Sequence, residues 1–284
     1  MVELLRAGGR YQLTGPGGSV DVRTTKVTPR LFSWVAEAEL TTGEPVFLKQ
    51  FVSADGRALE KTYAGERDGA RLAGRVMPSS KVALPLGGHE EQLLLGYAWR
   101  DLVTVDQLLR TDPQRLAELW PALMSYLGTC LTEAMNASPE GLKRRRLTEG
   151  TTPAVNFKGF EVRNIALDRA TGAFCFFDTG PAYLGPADEA AARVVVSIWL
   201  LAWGHPLRLF LGGPPADLAE AAGPLAARTT RAALRREVEL QATGRLNDVQ
   251  ATNPLTRMAK RLVFASIGRR YLRALRAWAE QHER

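Results

Sequence analysis

The sequence predicts an α+β fold in two parts, a small antiparallel β lobe with one helix followed by a larger helical lobe. Three observations carry this. Alternating apolar positions dominate the first hundred residues, one helical pattern interrupts them, and helical periodicity takes over from Asp101. With 284 residues, 45% of them hydrophobic and 24% charged, the chain is an ordinary globular sequence long enough for two cores. The expected division is a β-rich lobe over residues 1–96 and a helical lobe over 97–284.

The elements follow in order. After a Gly/Pro turn at Thr14–Gly18 comes SVDVRTTKV, then SWVAEAEL with apolar Trp34, Ala36, Ala38 and Leu40 at every second position, then the turn TTGEP and the strand VFLKQF. ALEKTYAGERDGARLAGRV keeps a helical spacing through Leu59, Tyr63, Ala70, Leu72 and Ala73, weakened by Gly65 and Gly69. KVALPLG and QLLLGYAW then read as two short strands, the second a continuous apolar run of the buried kind.

Thr104 is a candidate N-cap for TVDQLLR, and PQRLAELWPALMSYLGTCLTEAM reads as a long helix. A basic loop, LKRRRLTEG, leads to NIAL and AFCFFD, two short strands joined by an Asp/Thr/Gly turn. Helices return with EAAARVVVSIWLLAW, with DLAEAAGPLAARTTRAALRREVEL and with an amphipathic stretch from Leu255 to Gln281. Trp199 and Trp203, four residues apart on the apolar helix, are core candidates.

Charge and composition exclude several classes. The net charge is +7, and residues 231–284, with 12 Lys or Arg against 5 Asp or Glu, account for all of it. A basic face of this kind suits an anionic surface or a protein partner, while no nucleic-acid-binding module accompanies it. Cys130 and Cys175 show no disulfide or zinc spacing, and His89, His205 and His282 share no ligand spacing. The N-terminus lacks a signal-peptide pattern and the most apolar run, Val194 to Trp203, is too short to cross a bilayer, so a cytoplasmic location is expected.

The layout of strands, one intervening helix, a connecting segment, helices and an embedded polar hairpin resembles the protein-kinase-like fold. Lys49 in VFLKQF matches the strand lysine that grips the α- and β-phosphates of ATP, and Glu66, seventeen residues on, matches the helix glutamate that pairs with it; Glu60 is a less well spaced rival. Tyr97, Ala98 and Trp99 match the hinge that offers backbone groups to adenine. Asn164, followed by a hairpin and Asp178-Thr179-Gly180, resembles the asparagine and DFG-type aspartate that hold Mg²⁺. The short length and the DTG variant resemble the aminoglycoside-phosphotransferase-like branch.

Two departures stand out. Where the family carries a catalytic aspartate five residues before the asparagine, this chain has Gly159, with Phe157 in the histidine position and Lys158 between them; and TPRLF holds no Gly-rich clamp. Phosphoryl transfer depends mainly on positioning and charge neutralisation, so Glu161 is a candidate substitute, Lys158 a further catalytic candidate, and an ion pair of Glu161 with Arg163 or Lys158 the structural alternative. The resemblance implies an ATP- and Mg²⁺-dependent phosphotransferase acting on a hydroxyl of a small molecule or peptide. A pseudokinase, for which Gly159 speaks, and AMP transfer by the same fold are the alternatives.

Overall fold

The computed structural model describes residues 2–203 except 31–32, 54, 79, 99–100, 138, 145–146 and 148–151, together with residues 223–248; for 199–203, 223–224 and 241–248 it describes backbone alone. The chain forms two compact units, one of Met1–Thr104, Phe157–Gly159 and Asn164–Ala182, the other of Val105–Asn156, Phe160–Arg163 and Tyr183–Arg284.

In the first unit β1 (Arg10–Gly15), β2 (Gly18–Arg30), β3 (Ser33–Leu40), β4 (Pro45–Gln50), β5 (Pro85–His89) and β6 (Leu94–Ala98) close into an antiparallel barrel in the order β1-β2-β3-β4-β6-β5. The expectation of five strands is thus one short. RYQLTG forms β1, pairing Arg10–Gly15 with Arg23–Gly18, and its apolar signal is weak because only Leu13 is fully buried. VFLKQF is therefore the fourth strand in chain order.

The alternation in β3 has the anticipated consequence. Ala36 and Ala38 are buried with Leu13, Val22, Val46, Leu48 and Leu94, and Trp34 and Leu40 pack partly buried against them. Burying a side chain of the Leu or Val size contributes roughly 1.5–3 kcal/mol, so this interior is the main source of the barrel's stability. Gln50, fully buried in the same row of β4, is satisfied at its side chain by the N-terminal segment and by Gln92: its Oε1 accepts from Leu5 N at 3.0 Å, and its Nε2 donates to Glu3 O at 2.7 Å and Gln92 O at 3.1 Å.

Helix α1 (Glu60–Val76) follows β4 and buries Tyr63, Glu66, Gly69, Ala70, Leu72 and Ala73. Tyr63 meets Phe51 edge-on at 5.7 Å, in a second apolar cluster with Leu93 and Leu95. Further along, β7 (Leu102–Thr104), β9 (Ile165–Asp168) and β10 (Ala173–Phe176) make a sheet in the order β10-β9-β7. The β9–β10 hairpin is the one read from NIAL and AFCFFD, with Ala173 opposite Asp168 and Gly172 at φ +68° in its turn.

The second unit contains α2 (Val105–Thr111), α3 (Pro113–Asn136), α4 (Ala187–Trp203), a single turn at Gly223–Ala226 and α5 (Arg231–Asp248). Asp112 caps α3 by accepting from Arg115 N, and Pro113 takes the first helical position, where its missing N–H costs nothing. The strands β8 (Pro153–Phe157) and β11 (Ala182–Pro186) form a two-stranded sheet. Arg193 of α4, buried, lies 3.6 Å from Glu237 of α5 and donates to the Tyr183 hydroxyl at 3.0 Å. Among the described residues no helix is long and apolar enough to cross a membrane. The basic stretch from Leu255 to Gln281 and the side chains of Trp199 and Trp203 lie outside the described residues.

Candidate active site

Of the polar residues singled out from the sequence, Lys49, Glu66, Lys158 and Asn164 meet within the first unit on one loop, Asp178–Pro181, which follows β10. Alternation along β4 sends Val46, Leu48 and Gln50 into the barrel and leaves Lys49 on the opposite face, where its ammonium lies 4.9 Å from the centre of the Phe51 ring. From there Lys49 Nζ reaches Asp178 Oδ1 at 2.8 Å. Asp178 adopts φ +54°, a left-handed conformation uncommon for a residue with a Cβ, and Gly180 follows at φ +60°.

Glu66 also serves this loop. Its carboxylate accepts from Thr179 N at 3.2 Å and Gly180 N at 2.7 Å, and the Tyr97 hydroxyl donates to it at 3.5 Å. The ion pair expected between Lys49 and Glu66 is not what the structure contains. Glu66 is buried and held by backbone donors, so the ammonium takes the more exposed carboxylate of Asp178. Burial, and after it the negative charge of Asp178, pushes the Glu66 carboxyl up to about 7 against the opposing pull of Lys49 and the Gly180 N–H. Burial and the nearby Glu66 charge raise the Tyr97 hydroxyl as well.

Helix α1 approaches the loop through glycine. A Cβ on Gly69 would stand 1.8 Å from the Gly180 carbonyl oxygen, and one on Gly65 would stand 3.0 Å from the Pro181 ring. Gly65 and Gly69 are one turn apart and flank Glu66, so the residues that weaken the helix in isolation are those that bring Glu66 within reach of the loop. Their i,i+4 spacing around a glutamate is the signal the sequence carries for this contact, although by helix propensity alone the two glycines are a cost.

On the other side of the loop, Lys158 N donates to Pro181 O at 3.0 Å and Gly159 N to Thr179 O at 2.9 Å. A Cβ at Gly159 would meet the Asp178 carbonyl oxygen at 1.9 Å, so no side chain fits at the position where the resemblance leads one to look for an aspartate. Asn164 Nδ2 donates to Gly159 O at 2.8 Å and Asp178 O at 3.4 Å. Both donations come from the amide nitrogen, which leaves Asn164 Oδ1 without a hydrogen-bond partner among the described residues. Oδ1 of Asn164 and the half-exposed carboxylate of Asp178 are hard oxygen donors of the kind that Mg²⁺ or Ca²⁺ takes, and a two-residue protein shell is what such an ion uses when phosphates complete it. Among the described residues no group of three or more His, Cys, Asp or Glu side chains forms a denser cation site.

The remaining candidates are placed as follows. Lys158 is exposed. Glu161, assigned to the second unit, is buried and its Oε2 lies 2.5 Å from Arg163 Nε, while the neighbouring Val162 N donates to Ser197 Oγ of α4 at 2.9 Å. Tyr97 turns its hydroxyl to Glu66, Ala98 ends β6 opposite Val46, and Trp99 lies outside the described residues, as do residues 31–32 of TPRLF. Glu60 is the first residue of α1 and exposed, and has no such link to the loop.

No protein-family model matches the sequence, and no curated protein matches it. Solved structures do. The chain is similar to an amicoumacin kinase solved with AMP-PNP and Ca²⁺, with a TM-score of 0.54 at 13% identity, covering 91% of this chain and 88% of that one. An aminoglycoside phosphotransferase from Streptomyces rimosus matches with a TM-score of 0.47 at 14% identity, over 81% and 90% of the two chains. A fructosamine-3-kinase-type structure from Thermobifida fusca matches at 0.43 and 18%, over 92% and 96%. The first of these shows the fold, which is protein-kinase-like.

Proposed function

We propose that this protein binds a nucleoside triphosphate, ATP in the first instance, with Mg²⁺, and transfers a phosphoryl group to a hydroxyl of a small molecule. The observation that carries this reading is the 2.8 Å contact of Lys49 Nζ with Asp178 Oδ1 beside the unengaged Oδ1 of Asn164. A cation of the kind that binds phosphate beside oxygens of the kind that hold Mg²⁺ supports this reading. Lys49 binds phosphate, Asp178 and Asn164 hold the metal, and Glu66 fixes the loop that carries Asp178. A divalent cation held there neutralises phosphate charge and orients the triphosphate. The backbone of Tyr97 to Trp99 is the proposed adenine edge. Glu161, with its carboxylate on Arg163, is better suited to shaping the loop than to taking a proton.

A second reading has its own observation. Because Gly159 has no space for a side chain, the usual proton acceptor is missing, which favours a pseudokinase that binds nucleotide without transferring phosphate. Thermal unfolding with and without Mg-ATP distinguishes binding from its absence, since a ligand specific to the folded state raises the midpoint. The expected result is a magnesium-dependent rise that Asp178→Asn abolishes, with ADP formed when acceptor is supplied. A rise without turnover for any acceptor selects the pseudokinase; AMP and pyrophosphate as products select AMP transfer; no rise at saturating nucleotide overturns both nucleotide readings.

A further inference from the structure

We infer that Lys158 recognises the terminal phosphate of the nucleoside triphosphate, a role that rests on the nucleotide reading above. The residues around it make a rigid base for a free charge. Phe157 is buried and meets Phe176 edge-on at 6.1 Å, Lys158 N is bonded to Pro181 O, Gly159 N to Thr179 O, and Gly159 O receives the Asn164 amide. Backbone on both sides of Lys158 is thus tied to the loop and to the asparagine that carry the proposed cation ligands. Its side chain, by contrast, is exposed, and its ammonium has no hydrogen-bond or ion-pair partner among the described residues.

The surroundings keep it available. Beside it stands Gly180, which has no side chain to cover it; a Cβ there would lie 3.6 Å from the Lys158 Cβ. Lys49, on β4, is already engaged with Asp178. Two cations therefore flank the loop, one committed and one not. An ammonium on a flexible stem is a point charge suited to phosphate oxygens, and in a loop where Gly159 excludes a carboxylate, neutralising the charge on the transferring group is the contribution still open to it. A diphosphate lacks the group that Lys158 would meet.

The test compares Mg-ATP with Mg-ADP binding by calorimetry on the full chain, in wild type, Lys158→Met and Lys158→Arg. Lys158→Met is expected to weaken ATP about tenfold while leaving ADP within about twofold, and Lys158→Arg to keep most of the difference. Because Lys158 is exposed, the unfolding midpoint without nucleotide should not move. Equal affinities in Lys158→Met and wild type, or an equal loss for both nucleotides, would overturn this assignment while leaving the nucleotide site intact. Failure of the wild type to bind either nucleotide would overturn both.

Discussion

Gly69 and Gly180 approach so closely that a Cβ on the helix residue would lie 1.8 Å from the loop carbonyl oxygen. In an exposed helix, replacing Gly by Ala stabilises by about 0.5–1 kcal/mol. At Gly69 the sign is expected to reverse, because the added methyl must push α1 off the loop, at the roughly 1–3 kcal/mol typical of overpacking. Gly128 in α3, with nothing within 4 Å of its Cβ position, is the matched control and should gain stability on becoming Ala. Chemical denaturation of the two variants checks both signs.

Restoring the missing aspartate is expected to fail. Gly159→Asp sets a Cβ 1.9 Å from the Asp178 carbonyl oxygen, so the variant should lose stability and nucleotide affinity instead of gaining turnover. Measuring ADP release and the unfolding midpoint together decides this; faster turnover at unchanged stability would mean that the loop can open to admit a side chain.

Asp178 pays for its position with backbone strain. At φ +54° a glycine is more comfortable, and an Asp178→Gly change also removes a negative charge beside Glu66. The partly exposed ion pair with Lys49 that it loses is worth at most about 1 kcal/mol. The variant is expected to melt at or above the wild-type temperature without ligand, and to show no rise with Mg-ATP.

The Glu66 carboxyl gives the ligand-free protein a pH dependence. Its folded value, about 7, lies above the ordinary 4.5, so folding favours the protonated form. The stabilisation is complete below about 4.5 and disappears as pH rises through about 7. Midpoints recorded in chelator should therefore fall between pH 5 and pH 8, as set by these two values, and the fall should be smaller in Glu66→Gln. An unchanged slope in that variant would assign the effect to other groups.

What the sequence disclosed was what repeats locally. Strand alternation in β3, the helical spacing of α1 and the Asn164–Asp178 hairpin are short-range patterns, and all three elements form where they were read. Strand β1 was missed because one buried Leu13 gives no period, and β7 because three residues, Leu102–Thr104, are too few. β8 and β11 carry Pro or Gly within short spans, which reads as turn. The site was legible as residues and not as partnerships. Lys49 and Glu66 looked like a pair, whereas each bonds to the Asp178 loop, and the reason for Gly65 and Gly69 lies more than a hundred residues away along the chain.

That separation sets an order of events on the ribosome. All six barrel strands have been made once Ala98 emerges, yet the amides that Glu66 accepts come from residues 113 and 114 positions later. At the usual 5–20 residues per second, the carboxyl of Glu66 waits on the order of ten seconds for its partners. During that interval a nascent chain with all six barrel strands made carries Glu66 without its two backbone donors, so the packing of α1 through Gly65 and Gly69 is completed only when the loop arrives.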